Sequence, residues 1–239
     1  MEEKQPAIFC WSGGKDSSYC LYKVLSEGSF DVKYLLTTVN DTFKRVSMHG
    51  VREELVQSQA DSIGIPLLTV RVFEATNDEY ERKMEVVLLQ AKSEGIEHVI
   101  FGDIFLEDLR AYRERNLAKV GMVGEFPLWK IDTKQLINDF VALQFKTILC
   151  CTNDGYLGEY WVGQEINPTF IERLPANVDP CGENGEYHTF CYDGPIFKKK
   201  INFTKGEKVY KALDFKTDID ITLLPEVITK GFWFCDLIP

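Results

Sequence analysis

Ala7-Ile8-Phe9-Cys10-Trp11-Ser12-Gly13-Gly14-Lys15-Asp16-Ser17-Ser18 is the stretch whose reading decides the fold. Its first five residues form an unbroken apolar run, the pattern of a buried strand, and Ser12-Gly13-Gly14 breaks it with a tight turn. Residues 17–27 then read as a helix stopped by Gly28. Two glycines between a strand and a helix let successive backbone N–H groups converge on an anion, with the positive end of the helix dipole behind them. Ser12, Ser17 and Ser18 add hydroxyl donors, and Lys15 adds a point charge. Asp16 would repel a phosphate unless a cation lay between them, which points to Mg²⁺ held at Asp16. A plain capped turn needs only two glycines and one serine, so the added Lys-Asp-Ser favours phosphate binding. The spacing is not that of a Walker loop.

Outward from this stretch, strands and helices alternate. Residues 32–39 are β-rich, and Val51, Leu55, Val56, Ala60 and Ile63 recur at helical spacing before Gly64 and Pro66. Residues 67–73 read as a strand, 78–93 as a helix stopped at Gly95, and 98–101 as a strand ending at Gly102-Asp103. Leu106, Leu109, Arg113, Leu117 and Val120 outline one more helix, stopped by Gly121. Strands separated by helices of this length are βαβ units, so the expected fold is α/β, a doubly wound parallel sheet of Rossmann-like type. Its ligand crevice lies beyond the carboxyl ends of the strands, where the turns at 12–17, 40–49 and 102–103 fall. After Phe126-Pro127-Leu128-Trp129 the chain is richer in Gly, Asn, Pro and aromatic residues, with strand-like runs at 146–152 and 187–192. This places a nucleotide-binding domain at residues 1–128 and a smaller α/β substrate domain at 129–239.

The chain has 239 residues, 45% hydrophobic and 27% charged, with a net charge of −10. It is apolar enough to offset the entropy of ordering, which excludes disorder. Its acidity opposes binding to nucleic-acid phosphates. Seven cysteines without a CxxC pair read as buried free thiols rather than as a disulfide framework or thiolate metal site. With no signal-like start and no apolar stretch long enough to span a bilayer, the expected compartment is the cytoplasm. Assembly into a homo-oligomer is left open.

The Ser12–Ser18 segment resembles the SGGxDS loop of the N-type ATP pyrophosphatases, which grips pyrophosphate as ATP is cleaved between its α- and β-phosphates. A second segment narrows the likeness: Gly182-Glu183-Asn184-Gly185-Glu186-Tyr187-His188-Thr189, followed by Tyr192-Asp193-Gly194-Pro195-Ile196-Phe197. Together the two segments resemble the diphthine–ammonia ligase family across nearly the whole chain. The resemblance implies ATP and Mg²⁺ as cofactors, ammonia as amide source, and a carboxylate-bearing substrate activated as an acyl adenylate. In the family that substrate is a modified protein side chain, diphthine.

From spacing alone, Glu183 and Glu186 read as solvated carboxylates on an Asn-Gly hairpin. The resemblance makes them, with Asn184, Gly185, His188 and Thr189, candidates for holding substrate, orienting ammonia and taking its proton. Diphthine carries a trimethylammonium, to which aromatic faces at Tyr187, Phe190, Tyr192 and Trp161 are suited. By the same resemblance His49 is a candidate nucleotide contact. Gly102 and Asp103 stand on the predicted ligand edge, where a bare backbone admits a nucleotide, and Arg110 is a candidate for stabilising charge at the α-phosphate. Archaeal and eukaryotic ligases read Gly-Ala and then Tyr-Gln-Arg-x-Arg here; counting from Gly102, only Arg110 and Glu114 fall into register. Gly-Asp-Ile and Tyr-Arg-Glu resemble the bacterial branch instead, which leaves the acid substrate open. The competing readings are a tRNA-modifying ATP pyrophosphatase, opposed by the acidity, and a nucleotide sensor without turnover.

Overall fold

A computed structural model describes residues 4–73, 76–213 and 229–239. Strand β1 (Gln5–Cys10) leads through the Ser12–Gly14 turn into helix α1 (Lys15–Glu27). There follow β2 (Phe30–Asn40), the two-residue β3 (Arg45–Val46), α2 (Glu53–Ile63), β4 (Leu67–Val72), α3 (Asn77–Ser93) and β5 (His98–Ile100). Helix α4 (Glu107–Val120) and β6 (Val123–Glu125) complete the first half. Gly28, Gly64 and Gly121 end α1, α2 and α4, as the sequence predicts.

Leu35 and Leu36 of β2 pair in parallel with β1 and with β4 at once, so those strands lie on opposite edges of β2. Strand β5 takes the other edge of β1, and β6 the outer edge of β5, both in parallel. The five parallel strands therefore run β4-β2-β1-β5-β6 in space. This is the doubly wound order, with strand direction of travel reversing between β1 and β5. Alternation along β1 sorts the core: Ala7 and Phe9 join the cluster built on α1 and α2, whereas Ile8 joins the one built on α3 and α4.

The second half contains α5 (Thr133–Ala142), β7 (Lys146–Asn153), α6 (Pro168–Arg173), β8 (Tyr187–Asp193), β9 (Thr204–Ala212) and β10 (Gly231–Ile238). Its four strands form a separate sheet, β8-β7-β10-β9, antiparallel throughout. One apolar cluster runs from the parallel sheet through α1 and α2 into Phe140, Ile148 and Phe190 of the second half. Burying a side chain of this size contributes about 1.5–3 kcal/mol, so the two sheets share one core. Among the described residues no helix is long and apolar enough to cross a membrane.

Candidate active site

The turn after β1 is held from behind. The φ of Gly13 is +78°, and a Cβ there would lie 2.6 Å from Gln59 Oε1, so only glycine fits. Gln59, fully buried on α2, accepts from the Trp11 indole at 3.0 Å and donates to the Gly13 carbonyl at 2.9 Å. The Cys191 amide of β8 donates to the same carbonyl at 2.8 Å. The hydroxyls of Ser17 and Ser18 donate to the Gly14 carbonyl at 3.0 and 2.8 Å. The carbonyls are thus spent inside the protein. Helices α3, α5 and α6 are capped by Thr76, Asp132 and Asn167, whereas Gly14 offers α1 no side chain. Helices α2 and α4 also start without a side-chain cap. At α1, however, the Gly14 and Lys15 amides donate to Ser12 Oγ at 3.2 Å and Thr189 Oγ1 at 2.9 Å, so what the turn offers an anion is the positive dipole end of α1 beside those hydroxyls.

Lys15, 2% exposed, reaches Asp16 Oδ1 and Oδ2 at 2.8 and 2.6 Å and also donates to the Cys181 carbonyl. Its ammonium lies 5.3 Å from the centre of the Tyr187 ring. Burial works against the charge, but Asp16, with Glu183 beyond it, holds the Lys15 pKa above its ordinary value. The Lys15 amide donates to Thr189 Oγ1 at 2.9 Å, tying the start of α1 to β8.

The predicted pair of glutamates diverges. Glu186 is 1% exposed, and its carboxylate accepts from the Asp179 and Asn184 amides, both at 2.9 Å, and from Asn184 Nδ2 at 3.1 Å. Neither glutamate sits on a solvated hairpin, contrary to the spacing argument, because the loop folds back over its own carboxylate. Glu183 turns instead to the first half and accepts from the Ile104 and Phe105 amides at 2.8 and 3.4 Å. Burial, then the charge of Asp16, pushes its carboxyl up to about 7 against the pull of those amides. Gly185 meets nothing within 4 Å of a would-be Cβ.

His49 Nδ1 lies 3.1 Å from the Thr189 carbonyl, and its ring is 4.8 Å from that of His188. Burial lowers the two to about 4 and about 3, so both are neutral at pH 7. A Cβ on Gly14 would come within 2.9 Å of His49 Cε1, which seats His49 directly on the turn. Tyr187, Phe190 and Tyr192 are core residues, and of the four aromatics named for a cationic substrate only Trp161 is half-buried.

Gly102 serves a different approach from the one its position predicts: a Cβ there would meet the Asp16 and Ser17 backbone at 3.3 Å. Asp103 pairs with Arg113 of α4 at 2.5 Å, and that guanidinium covers the Phe101 ring at 4.4 Å. Arg110 pairs with Glu114 at 2.8 Å and stacks on Phe126 and Trp129 at 4.6 and 4.7 Å.

Sequence reasoning passed over a cavity of about 400 Å³ between α3 and α4, lined among others by Cys10, Tyr80, Met84, Val99, Phe101 and Arg113. Cys10 and Phe101 stand at the carboxyl ends of β1 and β5, so the cavity opens where the strand order reverses. Tyr80, Met84 and Leu88, four residues apart on α3, were its signal. Among the described residues no three His, Cys, Asp or Glu side chains form a ready metal cage.

Two family models match the chain: the diphthamide synthase N-terminal domain over residues 5–123 and the diphthamide synthase C-terminal domain over residues 132–222. The chain is similar to the diphthine–ammonia ligase of Mus musculus, 29% identical over 85% of this chain and 84% of the relative. It is also similar to that of Homo sapiens, 26% identical over the same shares. The relative from Schizosaccharomyces pombe is longer; the match, 26% identical, covers 83% of this chain and 36% of the relative.

Proposed function

The chain belongs to the diphthamide synthase family, and on that premise we propose that it is an ATP-consuming ligase that converts a carboxylate to an amide. The observation that carries this reading is the 12–18 turn, whose carbonyls are tied down behind an uncapped helix start. In this reading the Ser12 hydroxyl, the Gly13 amide and the positive end of α1 hold the departing pyrophosphate, and Lys15 balances its charge. The cavity between α3 and α4 takes the nucleoside, whose flat apolar face suits Phe101, Tyr80 and Met84. Asp16, whose two oxygens Lys15 grips at 2.8 and 2.6 Å, would hold a Mg²⁺, which would supply charge neutralisation at the phosphates.

The substrate carboxylate attacks the α-phosphorus, the α–β bridging bond breaks, and pyrophosphate leaves into the turn. Ammonia then attacks the acyl carbon, the bond to AMP breaks, and one proton is released. Glu183 takes that proton, being anchored by two amides within the electrostatic reach of Lys15 and Asp16 and titrating near neutrality. Glu186 and Asn184 brace the loop that carries Glu183. Residues 1–128 bind the nucleotide and 129–239 the acid, in a cytoplasmic protein. The test is pyrophosphate release from Mg·ATP with ammonia and a panel of carboxylic acids, diphthine-bearing elongation factor included. Release that depends on both ammonia and one acid supports the reading. Tight ATP binding without release under any of these conditions contradicts it and favours a sensor.

A further inference from the structure

Two arginines bracket His49, Arg45 on β3 and Arg52 at the start of α2, and both converge on one carboxylate of the second sheet. Arg45 donates from Nη2 to Asp236 Oδ1 at 2.8 Å, and Arg52 donates from Nε and Nη2 to Oδ1 and Oδ2 at 3.1 and 2.6 Å. Through Nη1, Arg45 also donates to the Gly50 carbonyl at 2.7 Å, so the backbone beside His49 is tied to β10. The turn between the arginines is closed by Val46 N–H to the Val51 carbonyl at 2.8 Å and Gly50 N–H to the Val46 carbonyl at 3.0 Å. Phe234, two residues before Asp236 on β10, meets the same turn. It packs under Gly50, whose φ is +69° and whose would-be Cβ would lie 2.9 Å from the ring.

The other side of the same turn meets the nucleotide loop. His49 lies against Gly14 and within 3.1 Å of the Thr189 carbonyl, whereas the neighbouring Met48 is 70% exposed. The His49 amide donates to the Ser47 carbonyl at 2.8 Å, and the ring's partners, the Thr189 carbonyl and the His188 ring, lie outside the turn, so where the turn hangs decides whether the ring meets them. The hanging point is Asp236, which lies outside the segments matched by either family model.

We propose that Asp236 is a positioning residue: through Arg45 and Arg52 it holds the 45–52 turn so that His49 stays seated on Gly14 and Thr189, and thereby sets the affinity of the 12–18 loop for ATP. This rests on the nucleotide reading above. An ion pair that only held β10 to α2 would change stability and leave affinity alone.

The test titrates Mg·ATP by calorimetry into the wild type, Asp236→Asn, His49→Ala and the double variant, with unfolding temperature measured for each. Asp236→Asn should weaken ATP binding about tenfold, about 1.4 kcal/mol by the conversion of a tenfold change. In the His49→Ala background the same change should alter affinity less than twofold while lowering the unfolding temperature as much as in the wild type. Amides 45–52 should exchange faster in Asp236→Asn. Arg52→Lys, which keeps the charge and loses the two-point grip, should show the same coupling at smaller size and supplies the answer if Asp236→Asn does not fold. Unchanged affinity in Asp236→Asn, with affinity lost in His49→Ala, overturns this inference alone. Additive losses in the double variant also overturn it. Unchanged affinity in His49→Ala likewise overturns this inference alone, whereas no ATP binding by the wild type overturns the nucleotide reading together with it.

Discussion

The two glycine-rich loops at the site, residues 12–18 and 179–186, solve opposite problems. In the first, carbonyls are anchored by Gln59, Cys191 and two serine hydroxyls, and the Gly14 and Lys15 amides by the Ser12 and Thr189 hydroxyls, so no carboxylate caps the start of α1. In the second, the loop supplies its own anion: Glu186 collects three N–H donors from Asp179 and Asn184, and Asp179 accepts from the Cys181 and Glu183 amides. One loop is held by neutral partners and the other by its own carboxylates. Between them sit Lys15, Asp16 and Glu183. A motif that repeats Gly-Glu within five residues therefore gives its two glutamates different work.

The comparison breaks most completely if the first loop proves dispensable. Asp16→Asn or Lys15→Ala should lower pyrophosphate release by at least about 10³-fold, the scale of losing preorganised charge stabilisation. Each also breaks a buried ion pair, at about 3–5 kcal/mol in urea unfolding, so activity must be measured below the unfolding transition.

Glu183→Gln comes next, with amide formation falling by about 10²–10⁴ while ATP affinity stays within about twofold. The pH dependence of the wild type should rise through about pH 7 as Glu183 gives up its proton, and that limb should vanish in the variant. The sign for stability is the reverse. A carboxyl raised from 4.5 to about 7 in the folded protein stabilises it fully below pH 4.5, and the contribution is lost as pH rises through 7. Glu183→Gln should flatten that decline.

Glu186→Gln sharpens the comparison from the side of the second loop. Its new amide group would face N–H donors, which should lower stability by about 1–3 kcal/mol, whereas replacing Glu183 should change stability far less at pH 7. Equal effects of the two would erase the distinction drawn here.

The histidines give a smaller effect of opposite pH sense. Lowered from 6.5 to about 4 and about 3, His49 and His188 contribute stability above pH 6.5 that is lost as pH falls toward those values. His49→Gln should therefore lose less stability than wild type between pH 7 and pH 5. The smallest change is expected from Arg110→Ala, about 1 kcal/mol in stability, because its pair with Glu114 is a half-exposed helical one and its stacking on Phe126 and Trp129 is partly exposed.

Four strands of the parallel sheet were legible as local β-rich runs between helices that end at glycine, whereas β6, Val123-Gly124-Glu125, was not, having one apolar residue. The second sheet was not, since β7 pairs with β8 and β10 across long separations that no local pattern records. Helix α5 was missed although Leu136, Ile137 and Phe140 recur at helical spacing. At the site, the strand–turn–helix over Ser12 to Asp16 was readable because two glycines after an apolar run dictate a tight turn into a helix. The fates of Glu183 and Glu186 were not, because they depend on which amides lie opposite: Ile104 and Phe105 for one, Asp179 and Asn184 for the other. Arg113 was read only as a helix-face residue; its partner Asp103 and the cavity it lines exist only once α3 and α4 are packed.

The central claim is that the 12–18 loop receives pyrophosphate while the acid is joined to AMP. It is tested most directly by giving the enzyme an acid substrate labelled with ¹⁸O in its carboxylate, together with Mg·ATP and ammonia, and locating the label by ³¹P NMR. The account predicts one ¹⁸O in AMP and none in the pyrophosphate. Label in inorganic phosphate, with ADP as the other product, would contradict it.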